Sequence, residues 1–384
     1  LLRRCVKCGL PETYETIEFN SKGICNICTQ KVFKDTEIDW ELRKQILNDL
    51  IEEYRGKYDY DCIVPFSGGK DSTYTLNYLV REYKLKPLVV QFNHGFMRET
   101  LLKNNERTFK KLGVDVLSFT PNWKVVKRLM KEALIRKGDF CWHCHTGIFA
   151  YPMQIAIKFN VPLVFWGEPS SEYTAYYDYK DNEIEEVDED RFNRYVNLGI
   201  TAEDMEGMIK NDFELDSRDL NPYMYPKLRD LKKIRYRSVC LGSYIPWDVK
   251  RNVEEIKSEL GWQGDEVEGI PFEAYPYEKI ECYMQGVRDY IKYLKRGYSR
   301  VTQMTALDLR NERITKREAD KLIEDFEGRK PPSLDLFLEY LEISEDEFNE
   351  IVSKTVVAPH IPDFKNIEIA PKTWDFEHWY REKK

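Results

Sequence analysis

Apolar positions in the first 170 residues follow two alternating rhythms. Over 39–55 they recur at Leu42, Ile46, Leu50 and Ile51, the three- and four-residue spacing of a helix that buries one face. Residues 62–66 (Cys-Ile-Val-Pro-Phe) form a short unbroken apolar run instead, as a strand covered on both faces requires. The same reading predicts a helix over 72–83 with Leu76 and Leu79 inward, and strands at 88–92, near 114–119 and at 161–166, each preceded by a helical stretch. Strands alternating with helices predict an α/β fold, a doubly wound parallel sheet. Its ligands are expected at the carboxyl ends of the strands.

Past Trp166 the rhythm breaks. Residues 168–219 are acidic and rich in tyrosine, with a run of acidic positions at 183–190; they are expected to form an insertion or lid over the sheet, against the plainer alternative of a solvated charged loop. A helix near 249–260 completes the main domain. Beyond it the pattern is helical: Thr315 with Glu318 and Ser344 with Glu347 have the spacing of capping boxes, and 335–341 makes a short helix after Pro331-Pro332. The expected organisation is an N-terminal module at 1–34, an α/β domain at 35–270 and a helical C-terminal region at 271–384.

Composition narrows the function. The net charge of -8 argues against an extended phosphate-backbone surface, so no nucleic acid is expected as partner. No run approaches the ~18 apolar residues of a membrane span, and the opening Leu1-Leu2-Arg3-Arg4 runs into a cysteine pair rather than an apolar signal core, so a cytoplasmic location is expected. Cys5, Cys8, Cys25 and Cys28 read C-x2-C-x16-C-x2-C, the spacing of two knuckles that close a tetrahedral Zn2+ shell. A zinc ribbon of this size has too little core to fold without its metal.

The chemistry is expected in Ser67-Gly68-Gly69-Lys70-Asp71-Ser72, between the first strand and its helix. Two glycines bare the backbone amides, the helix directs its positive end at the same point, and Ser67 and Ser72 add hydroxyl donors. Lys70 is expected to offset anionic charge. Asp71 would repel a bare phosphate, so it is read as a fixer of the loop or a Mg2+ contact. The Walker A spacing is absent.

This segment resembles the SGGxDS signature of the PP-loop ATP pyrophosphatases, of adenine nucleotide alpha hydrolase-like fold. The resemblance implies cleavage of ATP between its α and β phosphates, pyrophosphate held by the loop, and an adenylated intermediate. It further implies that Gln91, Phe92 and Asn93 lie near adenine and that Gly167 and Glu168 line the nucleotide site. Taken with the opening C-x2-C-G-L-P-E-T, the knuckle Gly23-Ile24-Cys25-Asn26-Ile27-Cys28, Cys141-Trp142-His143-Cys144-His145 and Tyr298-Ser299-Arg300, most of the chain resembles the N-acetyl sugar amidotransferase family of the WbpG type. The activity implied is an ATP-dependent ligase that turns an acetamido group into an acetamidino group in bacterial lipopolysaccharide O-antigen synthesis. ATP and Mg2+, a nucleotide-linked acetamido sugar, and a separate glutaminase subunit channelling ammonia come with that resemblance.

Cys141 and Cys144, with Cys240 as an eligible third ligand, are read either as a second metal or 4Fe-4S site, as in PP-loop enzymes that thiolate transfer RNA, or as buried free thiols. Cys62 and Cys282 are expected in the core. Arg288, Lys292, Arg296 and Arg300 recur every four residues; Arg296 and Arg300 are candidate contacts to a diphosphate-bearing sugar, against a solvated charged face. Two rival functions stay open: a transfer-RNA thiolation enzyme, and a noncatalytic zinc-ribbon interaction protein.

Overall fold

In the computed structural model, which describes residues 2–168, 192–209, 215–365 and 367–383, five strands form one parallel sheet. They are β1 (Cys62–Pro65), β2 (Pro87–Phe92), β3 (Asp115–Phe119), β4 (Leu163–Trp166) and β5 (Arg237–Cys240), ordered β3-β2-β1-β4-β5. Ile63 of β1 is opposite Leu88 on one side and Val164 on the other. The chain winds outward from β1 to β3, then returns to lay β4 on the other side of β1, so the winding reverses between β1 and β4. Such a reversal leaves a crevice at the carboxyl ends of the strands.

Because successive strand side chains point to opposite faces, β1 feeds two cores. Cys62 and Val64 pack with Val89, Phe165 and Val239 under α2 (Trp40–Tyr54), α3 (Lys70–Arg81) and α9 (Val249–Leu260). Ile63 packs with Leu88, Val90 and Val164 against Met153 and Ala156 of α6 (Trp142–Phe159). Leu76 and Leu79 are fully buried, as the helical spacing predicts, and β3 is the exposed edge strand.

Two expectations change. The buried stripe of α2 is Arg43, Leu47, Leu50, Ile51 and Tyr54, while Leu42 is 57% exposed and Ile46 36% exposed. The helix is turned so that Arg43 reaches across to donate from Nη1 to the Ser243 carbonyl, 3.3 Å away, and its stem covers apolar surface. β5 is a strand that apolar periodicity missed, since Arg237-Ser238 opens it with polar residues. The described part of the acidic segment is built into a core rather than left as a solvated loop: Ile200, Met205 and Ile209 pack with Phe92 of β2, with Val125 and Leu129 of α5 (Trp123–Lys137) and with Trp142, whose indole donates to the Ile200 carbonyl at 2.8 Å. The acidic run 183–190 lies outside the described residues.

The N-terminal module packs Tyr14 on Tyr298, ring centroids 5.2 Å apart, and shares a core with Ala306 of α11 (Arg300–Arg310). Its helix α1 (Asn26–Thr36) runs past the expected boundary, and Lys34 donates to the Trp247 carbonyl at 3.1 Å. A separate core joins α5, α10 (Gln285–Arg296) and the helices Leu334–Leu341 and Glu345–Ser353. The capping box at Thr315 is complete, whereas Ser344 makes only its half, accepting from the Glu347 amide at 3.1 Å. Among the described residues no helix is long and apolar enough to cross a membrane.

Candidate active site

The loop at 67–69 leaves the carboxyl end of β1 beside the winding reversal, and α3 begins at Lys70 with no side chain capping Gly69. First-turn amides of such a helix are left for a ligand. Gly68 has φ +85°, and a Cβ there would overlap the Asn105 side chain; one on Gly69 would overlap the Glu281 carboxylate. At Gly68 the backbone conformation and the overlap both require glycine, whereas a side chain at Gly69 would have to displace the Glu281 carboxylate. The Gly68 amide donates to Ser72 Oγ at 3.1 Å and the Gly69 amide to Ser67 Oγ at 3.3 Å, while the two hydroxyls are 3.2 Å apart. Trp262 Nε1 donates to the Gly68 carbonyl at 3.2 Å, pinning the turn from behind. Asn105, buried against Gly68, has both amide atoms without a hydrogen-bond partner.

Lys70 is not aimed freely at an incoming anion. Its buried ammonium lies 2.8 Å from Asp71 and 3.1 Å from Glu278. Burial alone would raise the Glu278 pKa, but Lys70 and Arg300 outweigh it and hold the carboxyl at about 2. Arg300 lies 3.6 Å from Glu278 and 3.6 Å from Asp289, and Arg296 donates to the Thr13 carbonyl at 2.6 Å while pairing with Glu15 at 3.2 Å. The two arginines expected to meet a sugar diphosphate are therefore committed to internal partners: one braces the floor under the loop, the other fastens the N-terminal module. Four-residue spacing suggested one shared helical face, but α10 ends at Arg296 with Gly297 as its left-handed cap and Arg300 opens α11.

A cavity of about 270 Å³ opens in front of the loop. It is lined by Ser67, Asp71 and Ser72 of the loop, by Gly167 and Glu168, by Phe92 and Cys240 at strand ends, by Cys141 and Cys144 from the start of α6, and by Lys279, Glu281, Cys282 and Arg288, with Glu281 lying against Gly69. Of the three residues expected near adenine, Phe92 lines the cavity. Gln91 instead accepts from Ser118 at 3.4 Å, and Asn93 donates to Thr120 at 3.2 Å. Burial, reinforced by the neighbouring Asp71 charge, pushes Glu168 up to about 7. Burial also drives His94 and His143 down to about 4 and His145 down to about 3, keeping three neutral imidazoles by the cavity. Cys282, expected in the core, packs on the C-terminal core yet also faces this cavity, its thiol pushed up to about 11 by burial.

Sequence reasoning passed over Glu278, Lys279 and Glu281 as site residues and placed Arg288 only on a basic helical face. The one available signal was 276–282, Pro-Tyr-Glu-Lys-Ile-Glu-Cys, a charged stretch of no helical or strand period just before α10.

The donor sets can be tested against the metals they suggest. Cys5 and Cys28 sulfurs are 3.9 Å apart, Cys8 and Cys25 3.7 Å, and all four are buried within 4.8 Å of one another. A disulfide needs about 2.05 Å, whereas the edge of a tetrahedron with Zn–S bonds near 2.3 Å is roughly 3.8 Å. The set fits Zn2+. No other group of three or more His, Cys, Asp or Glu ligand atoms is gathered this tightly among the described residues, so Cys141, Cys144 and Cys240 share a wall without closing a shell. Asp71 and Glu168 fit Mg2+: two carboxyls face one cavity, and burial with the neighbouring Asp71 charge disfavours a second bare negative charge at Glu168.

Residues 271–379 match the family described as LPS biosynthesis protein WbpG-like, C-terminal domain. The uncharacterized protein MJ1599 of Methanocaldococcus jannaschii is 26% identical over 166 residues, which are 42% of this chain and 58% of that protein. The chain thus spans 58% of the length of the curated relative it matches. Among solved structures, the U34-tRNA thiolase NcsA from Methanococcus maripaludis with its 4Fe-4S cluster aligns over 84% of this chain and 89% of that chain, at 13% identity and a TM-score of 0.29.

Proposed function

We propose that this chain, a PP-loop ATPase-type protein by its parallel sheet and its 67–72 loop, is an enzyme that transfers AMP from ATP to the oxygen of an acceptor amide. The observation carrying this reading is that Ser67, Asp71 and Ser72 of the loop share one cavity of about 270 Å³ with Lys279 and Arg288 of the C-terminal region. A phosphate site alone needs no such space; a second substrate does.

An amide carbon is a poor electrophile. When its oxygen attacks the α-phosphorus of ATP, the α–β bridge breaks and pyrophosphate leaves; the oxygen, now carrying AMP, has become a good leaving group. A nucleophile then adds to the carbon, the C–O bond breaks and AMP departs. Ser67, Gly68, Gly69 and Ser72 receive the pyrophosphate through hydroxyl and amide donors. Asp71 and Glu168 would hold Mg2+, which when bound offsets the charge of the leaving group. Lys70, braced by Glu278, keeps Asp71 turned toward the cavity.

Two observations favour different nucleophiles. The segment matching the WbpG-like C-terminal domain supplies the far cavity wall, which favours an acetamido sugar as acceptor and ammonia as nucleophile, giving an acetamidino group with ammonia from a separate glutaminase. Cys141, Cys144, Cys240 and Cys282 on the same cavity favour the second reading, sulfur transfer to a transfer-RNA base with an iron–sulfur cluster held by these thiols. Incubation with ATP, Mg2+ and either an acetamido sugar with ammonium or transfer RNA with sulfide separates them by product mass: oxygen replaced by NH, or by sulfur. Production of ADP and phosphate in place of AMP and pyrophosphate would remove both.

A further inference from the structure

A second, smaller cavity of about 40 Å³ adjoins the first, and Arg288 and Phe140 line both. We propose that it is a subsite for one phosphate-sized oxyanion, and that it takes the phosphate group of the acceptor whose amide is adenylated next door. The first half stands on the cavity itself; the second rests on the adenylation reading.

Helix α10 presents Arg288, Lys292 and Lys295 along one face, with Arg296 beside them, so four cations meet only two carboxylates, Glu15 and Asp139. Arg296 is satisfied by Glu15 and Thr13. The other three are short of negative charge. Arg288 reaches Asp139 only at 3.6 Å, and its buried Nε has no hydrogen-bond partner. Lys292 donates to the neutral amide oxygen of Gln303 at 3.1 Å, and Lys295 to the carbonyls of Lys137 and Gly138 at 2.8 and 3.2 Å. Among the described residues no carboxylate lies within ion-pair distance of either lysine.

Half-buried cations that outnumber the carboxylates lining the same cavity attract an anion. A guanidinium with two ammonium groups is a phosphate-binding set. In keeping with this, burial and then the Arg300 charge lower Lys292 to about 7, a shift that an arriving anion would reverse. A cavity of this size admits one phosphate group, and the larger cavity on the other side of Arg288 has the room for the sugar.

Calorimetric titration of the full chain with inorganic phosphate, and separately with N-acetylglucosamine 1-phosphate, tests the site on wild type, Ser72→Ala, Lys292→Gln and the charge-keeping Lys292→Arg. The expected result is a phosphate-binding event that persists in Ser72→Ala, weakens about tenfold in Lys292→Gln and changes less than about threefold in Lys292→Arg. Tighter binding of the sugar phosphate identifies the acceptor's group; equal binding identifies free phosphate as occupant and removes the second half. Phosphate binding unchanged by Lys292→Gln, or lost altogether in Ser72→Ala, overturns the subsite. Thermal melting checks that Lys292→Gln is folded, and Lys295→Gln replaces it if it is not. ATP titration of the same proteins keeps the two readings apart: wild type that binds ATP but shows no lysine-dependent phosphate event refutes the subsite alone, whereas wild type that fails to bind ATP refutes the adenylation reading alone.

Discussion

Cys5, Cys8, Cys25 and Cys28 converge until their sulfurs lie within 4.8 Å of one another, whereas Cys141, Cys144, Cys240 and Cys282 face one cavity without forming such a set. The first group is made by short-range spacing in a segment with little apolar core of its own, so the thiols themselves must be the centre of the module. The second is made by the start of a helix, the end of β5 and the approach to α10, which meet only because the sheet and the C-terminal helices pack. A closed shell has no room for a substrate; an open one leaves a face for chemistry. The difference gives the N-terminal cysteines the geometry of a metal shell and leaves the cavity cysteines as lining of an open space.

The contrast breaks most visibly if the metal is removed. Cys28→Ser, or a strong chelator, is expected to release one zinc per chain and lower the melting temperature by more than about 10 °C, because metal-binding energy in such a module is folding energy. The loss spreads past the module, since Tyr14 stacks on Tyr298 and Thr13 accepts from Arg296. Elemental analysis and calorimetry check it, and an unchanged melting curve would put the two cysteine groups on one footing. Next in size, Ser72→Ala should lower AMP release at least about a hundredfold with the fold intact, as deletion of a donor to a leaving anion does. Cys144→Ser sharpens the comparison from the other side: zinc content and melting should stay near wild type. Under the sulfur-transfer reading it also abolishes iron-dependent visible absorbance and product; under the amidine reading neither iron nor product changes.

What could be read from the chain was what neighbouring residues decide among themselves. The apolar run at 62–66, the glycines before α3, the two cysteine knuckles and the Thr315 capping box each carry their physics within a few residues, and each is found where its spacing placed it. The rest depends on distant partners. Leu42 and Ile46 have helical spacing, yet α2 buries the stem of Arg43 because Ser243 supplies a carbonyl across the core. Arg296 and Arg300 have helical spacing yet sit on two helices, and Thr13, Glu15, Glu278 and Asp289 claim them from three parts of the chain. Glu278 and Glu281 reach the loop more than 200 residues away in sequence, and nothing local marks them for it.

The smallest expected effect compares two buried carboxyls at the loop, whose pKa values move in opposite directions. Glu278 is held at about 2 against a usual 4.5, so its ion pair with Lys70 stabilises the fold above pH 4.5 and is lost as the pH falls toward 2. Glu168 is raised from 4.5 to about 7, so the folded protein keeps that proton more tightly than the unfolded chain; this contribution is complete below pH 4.5 and disappears as the pH rises through 7. Glu168→Gln should therefore melt close to wild type at pH 4 and above it at pH 8, where the wild type must bury a charge near Asp71. Mg2+ reverses the preference by drawing off the proton, so Mg2+-dependent ATP binding should tighten from pH 6 to pH 8 in wild type and stay flat in the variant. A melting difference that is constant from pH 4 to pH 8 would mean that Glu168 takes up its proton equally in the folded and unfolded chain and does not share the cavity's negative charge with Asp71.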